Sequence, residues 1–537
     1  MGVGTNDSFR SDETIQALMV EMGALLRECK GIAHGLKTGR PSRRLTSPSV
    51  DFAPPSRDVA DAMAKLYFES FESVHRILHA PTFWTEYRRY WTDSNNCPIS
   101  LRLKVLLVIG IGSILSDYWE TDSAFRSTVQ RWVYAAQAWL SGPLEKDRLD
   151  ISGLQIHCLT IIARQLLSIG GDLVWMSMGS LVHRAMQIGL HRDPEHLPAM
   201  PVLQAELRRR LWATILELVV QSSLDAALPP RISLDEFDTK PPANINDEDM
   251  DGSTEAVHPR TRGIFTATSM QLMLLDSLPS RLRALQLLNS ISSELDYVQV
   301  LTLSSEITEA HRRNEAFLKD NEGLGPTVFY WNLTDFFVRR FLMPLHCSCV
   351  PKARVNPLFT YSIKISLDTA LSVFSPEPDP GFARLMARSG GMYRDGLRQA
   401  SSVITAEYFA QLDALRLDGT LHRGGSQRLQ PLKQAVIDMK RLSLERIEQG
   451  ETNVKGYMFA CMVDAQAEAS VSGESIELRM AEAARDSLLV CRDLLQRRLD
   501  AISTPSYQPV GLLPSNSQAL SWFDLDLEYL LTEPGYL

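Results

Sequence analysis

The sequence predicts an all-α protein: a large helical array, preceded by a short N-terminal helix and followed by a disordered or partly helical C-terminal tail. Three observations predict it. Apolar residues recur three and four apart through most of residues 58–503, the spacing of a helix face. No stretch sustains the apolar–polar alternation of a half-buried strand. The breaks are proline and glycine clusters at irregular intervals, without the fixed period of a solenoid. With 537 residues, 45% of them hydrophobic, the chain has ample material for a core. At ~150 residues per domain, such a length allows about three or four domains or one large array. The reading divides the chain into an amphipathic helix and linker (1–57), a helical body (58–503) and an acidic-hydrophobic tail (504–537).

Residues 11–33 read as one helix, with Ser11 or Asp12 as its cap and Glu13 favourable in the first turn. Ile15, Leu18, Met22, Leu25, Cys29 and Ile32 alternate three and four apart, an a/d seam less than three heptads long. The seam serves either to dock this helix on the body or to pair two copies as a homodimer. Residues 34–55 form a linker in which Gly35, Gly39, Pro41, Pro48, Pro54 and Pro55 break any period. Its Lys37, Arg40, Arg43 and Arg44 read as solvated charges or as a weak nuclear-localisation or phosphate-contact patch.

In the body the pattern predicts helices at 58–74, 83–92, 100–119, 123–141, 150–169, 173–190 and 203–228. A long connection, Pro229 to Arg260, follows. It is Pro-rich and acidic (Asp235, Glu236, Asp238, Asp247, Glu248, Asp249, Asp251), and loops of that length are usually functional or mobile. Helices resume at 261–289, 295–320, 326–346, 358–375, 390–415, 428–448, 454–470 and 474–502. Pro376, Pro378, Pro380, the Gly424–Gly425 pair and Gly450 mark the breaks. In the tail, Trp522, Phe523, Leu525, Leu527, Tyr529, Leu530 and Leu531 interleave with Asp524, Asp526 and Glu528. Acidic-hydrophobic alternation is the composition of disordered activation segments, whose apolar residues a partner groove takes as a nascent helix forms. The other reading is a last helix packed on the body.

Charge and motifs exclude several functions. A formal net charge of −9 does not suit an electrostatic nucleic-acid binder. Seven scattered cysteines give no disulfide framework and point to a reducing compartment. No charged-then-apolar signal opens the chain, and the longest apolar run, Val105–Leu115, is too short to span a bilayer, so no membrane attachment is expected. Within that run Gly110 and Gly112 supply a G-x-G, but Leu115 stands at the third glycine position and no parallel-sheet pattern follows. His75 and His79 have the i, i+4 spacing of paired metal ligands, yet Ala80 and Pro81 follow and no third ligand is near; they read as packed or capping histidines. Cys347 and Cys349 are a C-x-C without a second pair. With no G-x-S-x-G, H-E-x-x-H or Walker loop, no catalytic residue, cofactor or metal is predicted, and the chain is not expected to be an enzyme.

The most informative stretch is Trp175–Asp251. Trp175, Met178, Leu181, Val182, Ala185 and Ile188 share one buried helix face. Gly189-Leu190-His191-Arg192-Asp193-Pro194 then closes the helix, Gly189 allowing close packing and Pro194 preventing continuation. The next helix opens with Arg208, Arg209 and Arg210, passes Trp212 and stops at Pro229-Pro230. The arginines cover adjacent directions, so two of the three are expected to reach acids of the 235–251 loop or to cap carbonyls of the preceding helix; the other reading, a nucleic-acid patch, would place them on a net acidic body. Trp175, His191, Arg209, Arg210 and Trp212 would make a structural hub that clamps the acidic loop.

This phrase (Gly189 to Asp193, Arg209-Arg210-x-Trp212, Pro229-Pro230, then Asp238, Pro241 and Asn244) resembles the fungal-specific transcription factor domain. That domain is the middle homology region of the zinc binuclear cluster regulators. A second matching stretch lies upstream: Leu66, Tyr67, Phe68, then Ile77, Leu78, His79, Pro81, Thr82 and Phe83. Ala226 and Ala227 depart from the family's Gly-rich turn before the double proline. The resemblance implies a helical regulatory domain in a nuclear regulator of RNA polymerase II transcription, whose tail meets the transcription machinery or coactivators. It implies DNA as a partner only through a six-cysteine zinc cluster built on C-x-x-C pairs, and this sequence has none, only Cys29 preceding the body. Residues 11–33 resemble the segment that follows such a cluster, so an exon encoding it is expected upstream of Met1. The alternatives are a body that contacts DNA in another way and a non-DNA-binding helical adaptor or repressor that pairs with another regulator.

Overall fold

The computed structural model describes residues 4–38, 52–93, 96–121, 123–142, 148–291, 295–417 and 426–503. Among the described residues every regular element is helical. The first ten α-helices are α1 (Gly4–Thr38), α2 (Arg57–Ser70), α3 (Glu72–His75), α4 (Ala80–Thr92), α5 (Ile99–Ser113), α6 (Tyr118–Thr121), α7 (Ser123–Ser141), α8 (Ile151–Leu166), α9 (Val174–Gln187) and α10 (Val202–Ala226). After the long connection come α11 (Ser269–Leu288), α12 (Tyr297–Asp320), α13 (Val328–Arg339), α14 (Leu342–Cys347), α15 (Val350–Ala353), α16 (Thr360–Phe374) and α17 (Pro380–Arg388). The last four are α18 (Arg394–Leu417), α19 (Ser426–Gln449), α20 (Lys455–Ser472) and α21 (Ile476–Ser503).

The chain forms two compact units. Of the described residues, those within 38–401 and 438–453 form the larger and those within 4–37, 402–437 and 454–503 the smaller, so α18 and α19 each contribute to both. In the larger unit three helices have long stretches with no solvent-facing side. Leu103–Ser113 of α5, Gly153–Leu166 of α8 and Arg210–Leu224 of α10 are buried without interruption. Uninterrupted burial over several turns puts them in the middle of a large core, where polar side chains such as Gln155, Arg210 and Glu217 are hydrogen-bonded to other parts of the chain. Gly110 and Gly112 lie in α5, and a Cβ at Gly112 would sit 1.9 Å from the Met63 carbonyl oxygen. Gly112 therefore serves backbone-to-backbone contact between α5 and α2, while Gly110 makes room for the Val129 side chain of α7.

Several boundaries differ from the sequence reading, each for a local reason. Pro380 opens α17 instead of breaking structure. Asp379 caps that helix by accepting from Phe382 N–H at 2.7 Å, and a proline in the first turn loses no helical hydrogen bond. Residues 390–393 stay outside α18 because the Gly391 N–H donates to the Gln165 carbonyl at 2.9 Å, with no room there for a Cβ. Residues 261–268 form turns, not the start of α11, because Asn244 holds their carbonyls. The predicted helix 326–346 divides into α13 and α14 around Arg340.

In the smaller unit α1 extends beyond the predicted 11–33 at both ends. Leu18, Met22, Leu25, Cys29 and Ile32 are buried and Ile15 is half-buried within the single chain. The Cys29 thiol lies 3.7 Å from the Leu488 carbonyl and Gly35 faces Leu499, so α1 runs alongside α21 in the same direction. The apolar seam thus finds its cover inside one protomer. No described helix is long and apolar enough to cross a membrane.

Candidate functional site

The two stretches that resemble the family, 66–83 and 175–251, meet around the carboxylate of Asp247. At the end of α3 the backbone turns away at Arg76, so His75 and His79 do not share a helical face. Arg76 reaches Asp247 Oδ1, and so does Arg210 from α10, at 2.6 Å. The other Asp247 oxygen accepts the Ala80 N–H at 2.8 Å, and its main-chain carbonyl lies 3.0 Å from His79 Nε2. Burial opposes ionisation of Asp247, but Arg76 and Arg210 outweigh it and bring its pKa down to about 2. All three side chains are almost wholly inaccessible, Arg210 at 0% and Arg76 at 4%.

One layer further in, Glu72 accepts from the Tyr67 hydroxyl at 2.6 Å and the Leu78 N–H at 2.7 Å. Burial pushes its pKa up to about 7, although Arg76 and both donors favour the carboxylate. His75 packs 6.0 Å from the Phe337 ring with neither nitrogen bonded, and burial pulls its pKa down to about 4. Its carbonyl accepts the Thr214 hydroxyl of α10. The Gln155 side chain of α8 donates to the Ile77 carbonyl at 2.8 Å. Helices α3, α4, α8 and α10 are therefore tied by hydrogen bonds whose partners lie far apart in the chain.

The Gly189–Asp193 turn ends α9 in a Schellman motif. Gly189 N–H donates to Met186 and Leu190 N–H to Ala185, both at 2.9 Å, with Gly189 at φ +78°. Glycine stands there for its backbone conformation more than for packing. Arg208 donates to the Ile188 carbonyl at 2.6 Å, satisfying the end of the same helix. Arg209 grips Asp193 with two bonds, 3.0 and 2.8 Å, and Glu206 at 2.9 Å. Asp193 also accepts the Lys240 and Glu195 N–H groups at 2.9 and 3.1 Å. Burial works against the Asp193 charge, yet these donors hold its carboxyl far below the usual range. The three arginines thus have three targets: a helix carbonyl, the aspartate of the turn, and the loop aspartate Asp247.

The rest of the long connection is held as firmly. Asn244 donates to the Thr261 and Ile264 carbonyls at 2.9 and 3.0 Å and accepts from Thr266 and Ser269. Ile245 and Met250 are buried beside it. Trp212 is buried and meets Phe237 edge-on at 5.7 Å, with the His191 ring 6.4 Å away. The His191 carbonyl accepts the Asp238 N–H at 3.0 Å. Trp175 is half-buried; its indole N–H donates to the Pro229 carbonyl at 3.3 Å and Arg231 stacks 4.5 Å above its ring. Deeper in α10, Glu217 and Arg281 of α11 form a two-bonded pair at 2.7 Å each.

Nothing in this network is arranged for catalysis. Its carboxylates are matched by arginines or sealed by hydrogen bonds. Asp247 and Arg210 were visible in the sequence, but Arg76 and Glu72 were not singled out. Arg76 and Asp247 stand 171 positions apart, and no local pattern couples them. A zinc cluster does not fit the residues present. Six of the seven cysteines are buried, and no described group of three or more His, Cys, Asp or Glu residues is placed to hold a metal ion. The tail residues Trp522, Phe523, Leu525, Leu527, Tyr529, Leu530 and Leu531 lie outside the described residues.

Comparison with known proteins places the chain in a family. The family pattern described as "Fungal specific transcription factor domain" matches residues 64–312, which contain the whole Asp247 network. The chain is 40% identical to transcription factor asR3 of Sarocladium schorii over 99% of its own length and 69% of the relative's. It is 34% identical to transcription factor lepE of Aspergillus flavus, over 92% of this chain and 62% of that protein. It is 33% identical to the aspyridones cluster regulator apdR of Emericella nidulans, over 60% of this chain and 46% of that protein. The chain thus spans from under half to about two thirds of these relatives' lengths. No solved structure matches it. The chain belongs to the fungal transcription factors that carry the fungal-specific transcription factor domain, a family of regulators and not of enzymes.

Proposed function

We propose that the chain acts in the nucleus as a regulator of RNA polymerase II transcription for one defined set of fungal genes. In this reading the helical body (58–503) is the regulatory part and residues 504–537 engage the transcription machinery or coactivators. Family membership supports the regulatory role, and the name of the apdR relative, a cluster regulator, supports a defined gene set. The observation that carries the tail assignment is its sequence: Asp524, Asp526 and Glu528 alternate with Trp522, Phe523, Leu525, Leu527 and Tyr529, and no Lys or Arg follows Arg498. Such acids keep apolar side chains hydrated until a partner groove takes them. The test is a reporter fusion of residues 506–537 to a heterologous DNA-binding domain. Activation that falls with Trp522→Ala and Leu530→Ala supports the assignment; an inert fusion counts against it.

A second reading is favoured by the cysteine spacing. With no C-x-x-C pair and a net charge of −9, residues 1–537 supply no six-cysteine base reader. The chain would then work as an adaptor or repressor paired with another regulator. Gel-shift with the 537-residue chain and promoter fragments separates the two: specific retardation by the chain alone rules the adaptor reading out.

A further inference from the structure

The surface of the larger unit carries one basic and apolar face that the Asp247 network does not use. It lies where the start of α12 meets α15 and α16. The Tyr297 ring packs at a tilt of 48° against Phe359, 4.4 Å between ring centroids, and its hydroxyl accepts from Ser362 at 3.2 Å, which fixes the two segments side by side. Around that pair four apolar side chains face solvent: Val298 at 68% exposure, Val355 at 88%, Leu358 at 78% and Tyr361 at 42%. Isolated exposed apolar residues are ordinary, but a contiguous group rimmed by charge marks an interaction surface. The rim is cationic. Lys352 and Lys364 are exposed, and residues 347–367 contain no Asp or Glu in a chain of net charge −9. Asp296, the carboxylate at the start of α12, is engaged as the cap of its own helix through Val298 N–H at 3.1 Å.

We infer that this face is a docking site for an acidic, apolar-rich peptide segment of a partner protein. The cations set the sign of the partner and speed its encounter, while the exposed valines, leucine and tyrosine supply area that is buried on contact. A nucleic-acid backbone would meet the cations but leave Val355 and Leu358 unused, since phosphate contacts gain nothing from aliphatic groups. Cys347 provides a built-in reporter: it is the exposed one of the seven cysteines and stands at the end of α14, three residues before α15.

The experiment uses the full chain and a fluorescent synthetic peptide of alternating Asp or Glu with Leu and Phe. Anisotropy should show saturable binding that weakens with added salt. Leu358→Ser and Lys352→Glu, both at exposed positions, should each weaken binding about tenfold without moving the thermal midpoint. Bound peptide should slow alkylation of Cys347, and a peptide with Lys replacing each acid should not bind. Three results would overturn the inference. Binding unaffected by both substitutions places the peptide elsewhere. A DNA duplex that binds the same chain, is lost in Lys352→Glu and survives Leu358→Ser assigns the face to phosphate. Protection of Cys347 that rises with protein concentration in the absence of peptide assigns it to a second copy.

Discussion

Replacing Asp247 by Ala is the most direct perturbation of the ion network. It leaves Arg76 and Arg210, exposed by 4% and 0%, without their shared counter-charge and removes the acceptor of the Ala80 N–H. Removing one partner of a buried pair costs about 3–5 kcal/mol, because the remaining charge stays desolvated. The larger unit contains about 380 residues, and at about 2.1 cal/mol/K of unfolding entropy per residue the loss lowers its thermal midpoint by about 4–6 °C. The control is Asp276→Ala, which breaks the Arg262–Asp276 pair, where the side chains are 56% and 45% exposed. Exposed pairs contribute about 0–1 kcal/mol, so the midpoint should move by about 1 °C or less. Differential scanning calorimetry of both variants decides. Equal shifts for Asp247→Ala and Asp276→Ala would refute the claim that the network fastens the acidic loop to the body.

Three further outcomes follow from the same structure. His75 is buried neutral with its pKa drawn down to about 4, so it contributes stability that is full above its unfolded pKa of about 6.5 and is lost as pH falls through 4; linkage puts the loss at about 3 kcal/mol, and His75→Phe should flatten that part of the stability–pH curve measured by urea denaturation. Gly112→Ala places a methyl group against the Met63 carbonyl and should destabilise by about 2–3 kcal/mol or more, read from the denaturation midpoint. Asn244→Ala strands the groups that Asn244 now bonds, so limited proteolysis should cut the 229–268 connection faster, with a stability loss of about 2–3 kcal/mol.

The helical class was legible because its signal is local: apolar spacing over α8, α9 and α10 is a property of adjacent turns. The family phrase was legible for a related reason, since Gly189, Arg209, Arg210 and Trp212 stand close together in sequence. Helix α17 was not read, although its Asp379-Pro380 start was present. Three prolines within five positions weigh toward a break unless the first-turn role of the last one is considered. The start of α11 was misplaced because Asn244, far upstream, decides where the turns 261–268 end. The ion network was half visible: Asp247 lay among the loop acids, but its partner Arg76 sits in the other signature stretch. Periodicity carries no information about contacts across 171 residues. The cover over the α1 seam was open for the same reason, because Leu488 and Leu499 stand more than four hundred positions away from it.

The proposed regulation of one defined gene set predicts a transcriptional change when the gene is lost. Transcript profiling of the native fungus with and without the gene, under conditions where the protein is made, tests it most directly. A coordinated rise or fall confined to one group of genes, restored by the wild-type gene, is the predicted result. A profile unchanged by the deletion would contradict it.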